Sequence, residues 1–462
     1  MVLTLLMFIT LRSSFLVWTS FFFSAFVLFS ITIYHLYYEK NYSPFLSAYI
    51  VFTFLFFLAA PISQVNTFFE VETPKFVNYF PYRENLVIYA NTLISLFNIV
   101  FIVAYVQLKK YFFLNKFKKK AIRSQRLLPL TIFILLILSV FFFFLSYNFL
   151  QEELSRPNWV KSITPVSLLL IWKKFIFFIP FAGIALCFQY FNKTNKIKAN
   201  VINIIVFLFF FLILLFWFKN PLTEKRNALG PIYISLIYLF IPKLLNSNIK
   251  TVSFLFFSMI IVFPLTAILT HSDATLMEMY RNPLMLLEQM KDGGIAGAFN
   301  SLHYDAFANI NASIDYVSKY GFSYGYQFLG GFLFFVPRSI WALKPISSGQ
   351  MIGEHLVSDF GFGFTNLSNS LVSESFLNFG VLGVIIVPII LAYVFIRMIS
   401  WLDSDNYLKK IMGFYFAIHL IFFLRGDFTN GFSYYIGPLI AVLVIPKFIE
   451  LITKELLNLK RK

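Results

Sequence analysis

The chain has 462 residues, of which 59% are hydrophobic, 21% are aromatic and only 13% are charged. A soluble fold of this size could not cover so much apolar side chain with so little polar surface, so the composition excludes an ordinary soluble protein. The formal net charge of +17 comes from basic residues crowded into short loops. That distribution is the topology signal of membrane proteins, and it does not indicate a nucleic-acid partner.

Apolar runs long enough to cross roughly 30 Å of hydrocarbon as helices recur along the chain. Inside lipid each backbone polar group must be paired within its own segment, which favours helices. We therefore predict an all-α polytopic transmembrane bundle of about 11–12 spans with one long extracytoplasmic loop that contains short or re-entrant helices. The candidate spans are residues 15–37, 45–69, 84–108, 127–149, 175–191, 199–218, 230–245, 251–270, 376–400, 410–424 and 436–452.

The basic residues set the predicted orientation. Residues 109–126 carry eight lysines and arginines and no acid, so this loop is expected in the cytoplasm. Counting spans onward places residues 271–373 outside. The prediction divides the chain into N-terminal transmembrane helices (1–270), this long extracytoplasmic loop (271–373) and C-terminal transmembrane helices (374–462).

Within the long loop, the apolar stretch 327–336 is too short for an ordinary span. We interpret it as a re-entrant or interfacial helix. Non-helical backbone at membrane depth is tolerated only when it is buried in protein or lines a cavity. The sequence therefore predicts a cavity at the outer face of the membrane.

Positive residues on the outer face run against the topology rule, and four of them lie close to predicted membrane boundaries: Arg226, Arg338, Lys344 and Arg425. A guanidinium donates two parallel hydrogen bonds to phosphate oxygens, and lysine supplies a compact charge. These residues are candidates for binding a pyrophosphate at headgroup depth. The alternative is snorkelling or a loop salt bridge, such as Arg425 with Asp427.

Three outer-face residues are candidate general bases: Glu354, His355 and Glu374. A base needs a carboxylate or imidazole whose pKa is moved towards neutrality by partial burial. Glu374 stands between two serines at the head of an apolar helix. The alternative for Glu374 is an acid favoured by the helix dipole.

Several other classes lack their signals. The sequence has one cysteine, Cys187, and no Cys/His cluster, so neither a disulfide, a metal site nor a cofactor is predicted. It has no P-loop, no GxGxxG before a helix and no HExxH. Ionisable residues midway through spans, which transporters usually show, are nearly absent.

Two residue patterns resemble a known family, the Wzy-type oligosaccharide repeat-unit polymerases, which are related to O-antigen ligase-like membrane glycosyltransferases. The late outer loop has a Pro-Arg followed by Trp and Lys-Pro, and an acid precedes an aromatic-Asn-Phe-Gly helix start. Arg338 and Gly349 also fit an Arg-x10-Gly spacing, in one copy. The residues of the two patterns are Pro337, Arg338, Trp341, Lys344 and Pro345, and then Glu374, Phe376, Asn378, Phe379 and Gly380.

The resemblance implies metal-independent, inverting glycosyl transfer on the outer face of the bacterial inner membrane. The substrates would be undecaprenyl-pyrophosphate-linked oligosaccharides, polymerised into O-antigen or capsule. Trp341 and Tyr326 would stack on sugar rings, or else belong to the interfacial aromatic belt. Membrane lipids are expected partners, with a chain-length regulator and a flippase as further candidates.

Two alternatives stay open at this stage. An O-antigen ligase-type transferase would have a similar architecture and would move finished glycan to another acceptor. A lipid-linked oligosaccharide flippase, from a different class, would be expected to show two similar halves and charges inside the bundle.

Overall fold

The computed structural model describes residues 2–71, 75–76, 79–114, 127–155, 164–193, 199–263, 281 and 299–459. The chain forms two compact units. The first comprises Met1–Asn115, Leu245–Arg397 and Leu420–Phe432, and the second comprises Lys116–Leu244, Met398–His419 and Ser433–Lys462. These units follow packing, whereas the predicted division into 1–270, 271–373 and 374–462 concerns membrane topology and stays a prediction.

The described residues are almost entirely helical. Their α-helices, in chain order, are α1 (Val2–Thr10), α2 (Phe15–Ile33), α3 (Pro44–Phe54), α4 (Ala60–Val71), α5 (Glu84–Leu114), α6 (Leu128–Ser155), α7 (Val166–Lys174), α8 (Ile179–Lys193), α9 (Ala199–Phe218), α10 (Arg226–Phe240), α11 (Asn248–Phe257), α12 (Ala306–Tyr320), α13 (Tyr326–Phe332), α14 (Ser348–Phe360), α15 (Leu371–Leu402), α16 (Tyr407–Arg425), α17 (Phe428–Leu439) and α18 (Ile445–Leu459). Turns of π-helix extend α2 and α11 and join α3 to α4 and α17 to α18.

Nine helices within the described ranges are long and apolar enough to cross a membrane. They are Phe15–Tyr38, Pro44–Glu70, Glu84–Phe112, Leu128–Ser155, Leu168–Lys193, Val201–Phe218, Leu371–Leu402, Tyr407–Arg425 and Phe428–Asn458. The predicted all-α multi-pass bundle is confirmed. The predicted spans at 230–245 and 251–270 correspond to shorter helices, α10 and Asn248–Val262. Residues 264–270 lie outside the described ranges.

The helical segment Pro44–Glu70 forms the centre of the first unit, because 94% of its most apolar stretch of 18 residues is buried. A helix that is apolar on all sides is expected in the interior of a bundle. Around it, α3 packs on α11 and α2 packs on α5. In the second unit, α6, α8 and α9 pack against one another in pairs.

The predicted long loop contains short helices, as expected. Within its described part, 299–373, α12 packs on α5 and α14, and both α12 and α14 belong to the first unit. The apolar stretch 327–336 forms α13 followed by turns. Residues 271–280 and 282–298 of the loop, and 115–126 of the predicted cytoplasmic loop, lie outside the described ranges.

A buried ionic network lies at the end of the first unit where the chain passes from α2 to α3. Glu39 accepts a hydrogen bond from the Tyr105 hydroxyl at 2.6 Å. It also forms ion pairs with Lys109 and with the Nδ1 of His35. The Nε2 of His35 lies 2.8 Å from the Ser47 hydroxyl. The Glu39 side chain is fully buried, so its charge depends entirely on these partners.

Replacing Glu39 by Gln is expected to destabilise the protein by about 3–5 kcal/mol, because it removes the buried carboxylate with which both Lys109 and His35 pair. The measurement is the thermal unfolding of the purified protein in detergent. The control is Glu70→Gln, at an exposed carboxylate on α4. Equal melting temperatures for the two variants would show that the network does not stabilise the fold.

Candidate functional site

Glu374 lies in the first turn of α15 and is completely buried. Its Oε2 accepts a hydrogen bond from the backbone N–H of Phe428, the first residue of α17, at 2.7 Å. The Ser348 hydroxyl also interacts with this carboxylate, but Oε1 makes no hydrogen bond of normal geometry to a described residue. One oxygen therefore anchors the carboxylate to the positive end of a helix, whereas the other makes no bond to a backbone N–H of a described residue.

The segment that carries Glu374 is separated from the rest of α15 by a break. Gly380 has φ 61° and ψ −144°, which is not helical. This conformation favours glycine, and a Cβ at this position would lie 3.1 Å from the ring of Phe322. The Asn378 amide, just before the break, donates to the carbonyl of Glu374 at 2.8 Å. Residues 371–379 thus form a short helical piece whose position is set by its neighbours.

Several buried polar atoms near Glu374 lack hydrogen-bond partners among the described residues. They are both side-chain amide atoms of Asn369 and the Oδ1 atoms of Asn309 and Asn378. An unsatisfied buried polar group costs about 1–3 kcal/mol, so native structures retain few of them. A concentration of such groups beside a buried carboxylate is typical of a site that binds water or a polar ligand.

Hydrogen bonds hold these residues next to one another. The amide of Asn309 on α12 donates to the carbonyl of Ser368 at 2.7 Å, directly before Asn369. The hydroxyls of Ser373 and Ser313 lie 2.7 Å apart. Sequence reasoning did not single out Asn309, Ser348 or Asn369 as site residues. The available signal for Asn369 was the polar run at 366–370 immediately before an apolar helix.

Arg425 is joined to the same segment through Asp305. Its Nη2 donates to the carbonyl of Leu302 at 2.6 Å and to Asp305 Oδ1 at 3.1 Å. Asp305 Oδ1 also accepts from the hydroxyl of Ser368 at 3.3 Å. The structure therefore brings Arg425 and Glu374 together around residues 368–374 and 425–428.

The alternative sequence interpretation, a salt bridge between Arg425 and Asp427, is replaced by two separate roles. Arg425 pairs with Asp305, which is 120 residues away along the chain. Asp427 caps α17 instead, since its Oδ1 accepts from the backbone N–H of Asn430 at 2.8 Å. A helix N-cap of this kind satisfies one of the free N–H groups of the first turn.

Arg338 and Lys344 lie on one loop and brace its backbone. Arg338 donates to the carbonyls of Lys344 at 2.6 Å and Pro345 at 3.3 Å. Lys344 Nζ donates to the carbonyls of Phe334 at 2.7 Å and Val336 at 2.9 Å. Burial, and secondly the nearby Arg338, lower the pKa of Lys344. A guanidinium has five N–H donors, so Arg338 retains donors beyond these two bonds.

Trp341 and Tyr326 belong to the same loop region. Their ring centroids are 6.0 Å apart in an edge-to-face arrangement, and the Tyr326 hydroxyl donates to the carbonyl of Leu343. The region packs against the carboxylate site through α13, because a Cβ at Gly331 would lie 2.5 Å from the ring of Phe428. The loop therefore lies beside the residue whose N–H holds Glu374.

His355 and Glu354 are placed differently from Glu374. Glu354 is exposed and accepts from Gln350 at 2.9 Å on the same helix. His355 is buried, with its Nε2 3.0 Å from Asp315 and its Nδ1 3.4 Å from Asp359. Burial lowers the pKa of His355. Both of its ring nitrogens face carboxylates, so the imidazole holds α14 to α12.

Two further predicted features have definite positions. Gly349 lies where a Cβ would come 2.1 Å from the carbonyl oxygen of Leu367, so the glycine of the Arg-x10-Gly spacing lets α14 approach the segment that carries Asn369. Arg226 is the first residue of α10 and belongs to the second unit. Its assignment to a pyrophosphate site stays a prediction.

Comparison with known proteins gives one family match. Residues 350–455 match the model of the family described as O-antigen polysaccharide polymerase Wzy. This range includes Glu354, His355, Glu374 and Arg425 and begins after Arg338 and Lys344. No curated protein and no solved structure gives a significant match. The family match covers part of the chain and confirms the resemblance to Wzy-type polymerases predicted from the sequence. The nine long apolar helices of the described ranges support a multi-pass membrane protein.

Proposed function

We propose that this protein polymerises polyprenyl-pyrophosphate-linked oligosaccharide repeat units into O-antigen or capsule on the outer face of the bacterial inner membrane. The observation that carries the proposal is the buried carboxylate of Glu374, with one oxygen anchored by a backbone N–H, inside the range that matches the family. Arg425 lies in the same cluster and supplies positive charge.

The proposed reaction is a single displacement with inversion at the anomeric carbon. A hydroxyl oxygen of the acceptor repeat unit attacks the anomeric carbon of the donor glycan. At the same time, the bond between that carbon and the pyrophosphate oxygen of the donor breaks. Glu374 Oε1 takes the hydroxyl proton, and the bond electrons leave with the polyprenyl pyrophosphate. A positioned base of this kind contributes about 10²- to 10⁴-fold to the rate.

The charge that develops on the leaving pyrophosphate requires nearby donors. Arg425 has an Nε with no hydrogen-bond partner among the described residues, and Arg338 keeps donors beyond those that brace its loop. One guanidinium group can donate two parallel hydrogen bonds to the oxygens of a phosphate. In the proposed reaction these side chains, with Lys344, provide the positive charge, so the transfer is metal-independent.

Recognition of the sugars is assigned to neutral groups. The side chains of Ser348 and Asn369 offer hydroxyl and amide groups of the kind that bind sugar hydroxyls, and both amide atoms of Asn369 lack partners among the described residues. Trp341 and Tyr326 offer ring faces on which a pyranose can stack. This combination of a few polar groups and aromatic side chains is usual in small-molecule sites.

Glu374→Gln keeps the shape and the bond from Phe428 but removes the proton acceptor. We expect polymer formation to fall by about 10²- to 10⁴-fold, because the acceptor hydroxyl loses its base. The assay is the ladder formed from purified lipid-linked repeat unit by the reconstituted protein.

Glu455→Gln, at an exposed carboxylate on α18, is the matched control and should retain the wild-type ladder. A normal ladder from Glu374→Gln, or a comparable loss from Glu354→Gln alone, would remove Glu374 from the proposed role.

Arg425→Lys keeps a positive charge but loses the planar guanidinium. We expect kcat/KM to fall by roughly 10- to 100-fold, because both the support from Asp305 and the paired phosphate contacts depend on guanidinium geometry. Arg397→Lys, at an exposed arginine towards the other end of α15, is the control. Equal kinetics for the two variants would contradict a role for Arg425 in binding pyrophosphate.

Deletion of the gene separates the proposed function from its alternatives. We expect the deletion strain to display surface glycan capped with a single repeat unit, because transfer of the first unit does not require the polymerase. Analysis of surface and lipid-linked glycans by gel electrophoresis makes the comparison. Accumulation of full-length lipid-linked polymer would instead favour a ligase, and trapping of single lipid-linked units on the cytoplasmic side would favour a flippase.

A further inference from the structure

The loop of residues 333–345, here called the tip loop, turns its apolar side chains outward. Phe335, Ile340 and Leu343 are 68%, 79% and 81% exposed. Its two basic side chains, the exposed Arg338 and the half-buried Lys344, donate hydrogen bonds to backbone carbonyls of the loop itself. A loop built for water would keep its Ile, Leu and Phe side chains covered.

The tip loop also satisfies its own irregular backbone. Side-chain donors reach five of its carbonyls, those of Phe334, Val336, Leu343, Lys344 and Pro345. In hydrocarbon an unpaired carbonyl costs several kcal/mol, and no water is present to replace the bond. Internal pairing of this kind makes a non-helical loop compatible with apolar surroundings.

The position of the tip loop connects it to the carboxylate site. A Cβ at Gly330 would lie 2.4 Å from Pro345, so α13 and the end of the loop are in direct contact. The centroid of the Phe428 ring lies 5.1 Å from the centroid of the Phe328 ring and 4.9 Å from that of the Phe332 ring. Phe328 and Phe332 are both on α13. The exposed apolar surface therefore begins next to the residue that anchors Glu374.

We propose that the tip loop binds the polyprenyl chain of the lipid-linked substrate, a deepening that rests on the proposed function. The loop combines guanidinium donors at its base with three projecting apolar side chains, which matches an amphiphile that has an anionic head and a long hydrocarbon chain. A chain that leaves a pyrophosphate held near Phe428 meets these side chains first. The polyisoprenoid chain is the occupant to which the proposal commits, and ordinary bilayer lipid is an outcome of the test.

The test compares one repeat unit carried on two tails, a 55-carbon polyprenyl pyrophosphate and a 10-carbon prenyl pyrophosphate. The full-length protein and the double variant Ile340→Ala/Leu343→Ala are assayed in nanodiscs. We expect the variant to raise KM for the long-tailed substrate by about tenfold, because two aliphatic contacts with the chain are removed. Kinetics with the short-tailed substrate should stay unchanged, which also shows that the variant is folded.

The control is Leu382→Ala/Ile390→Ala, two residues that are 67% and 56% exposed on α15. This control variant should not change the KM for one of the two substrates relative to the other. Equal changes of KM for both tails in the tip-loop variant would assign the loop to ordinary lipid contact and overturn the proposal. An unchanged KM for the long tail would also overturn it.

Failure of the proposed function would be recognised separately, as absence of polymer from the wild-type protein with either tail. The tail site is then tested by titrating 55-carbon polyprenyl monophosphate into the nanodisc-bound protein. Binding that is about tenfold weaker for the tip-loop variant than for wild type supports the proposal. Equal binding by the two proteins refutes it.

Discussion

The carboxylate of Glu374 is the constraint on which the surrounding structure depends. A fully buried acid is costly unless its oxygens are hydrogen-bonded, and here one oxygen is satisfied by the first N–H of α17. That bond requires α17 to begin at Phe428, and Asp427 provides the cap that starts it. The helix start, the cap and the carboxylate are therefore parts of one arrangement.

The same arrangement explains why charged residues around the site are linked through partners distant in sequence. Arg425 lies three residues before Phe428 and is held by Asp305, which also accepts from Ser368. Because each acid has a specific donor, negative and positive groups share a small buried region. Preorganised groups of this kind stabilise developing charge without rearranging during the reaction.

Much of this fold was predictable from the sequence, because long apolar runs and basic loops report directly on membrane-spanning helices. Nine predicted spans have helices of sufficient length in the described ranges. The residues 230–245 form a shorter helix, because the helix ends at Phe240 before Pro242, a residue that lacks a backbone N–H. Glu374 and Arg425 stood out as candidates because each lies where a span begins or ends.

The partners of those candidates were not predictable. Sequence proximity pointed to Asp427 as the partner of Arg425, whereas the observed partner, Asp305, is brought near only by packing of the loop against the bundle. Ser348 has no local pattern that distinguishes it from an ordinary turn residue, and the only local signal of Asn369 is its place in a polar run before an apolar helix. Their significance appears only in their hydrogen bonding, a property that depends on the whole tertiary structure.

The break at Gly380 has a consequence for how such an enzyme can change its specificity. The piece of α15 that holds Glu374 is not aligned by the rest of the helix; aromatic contacts position it, with Phe322 against Gly380 and Phe379 against Gly325. A change in the size of either ring would shift the acid relative to the sugar while every polar residue stayed the same. In the proposed mechanism, the choice of the acceptor hydroxyl therefore depends on uncharged, apolar positions as well as on polar ones.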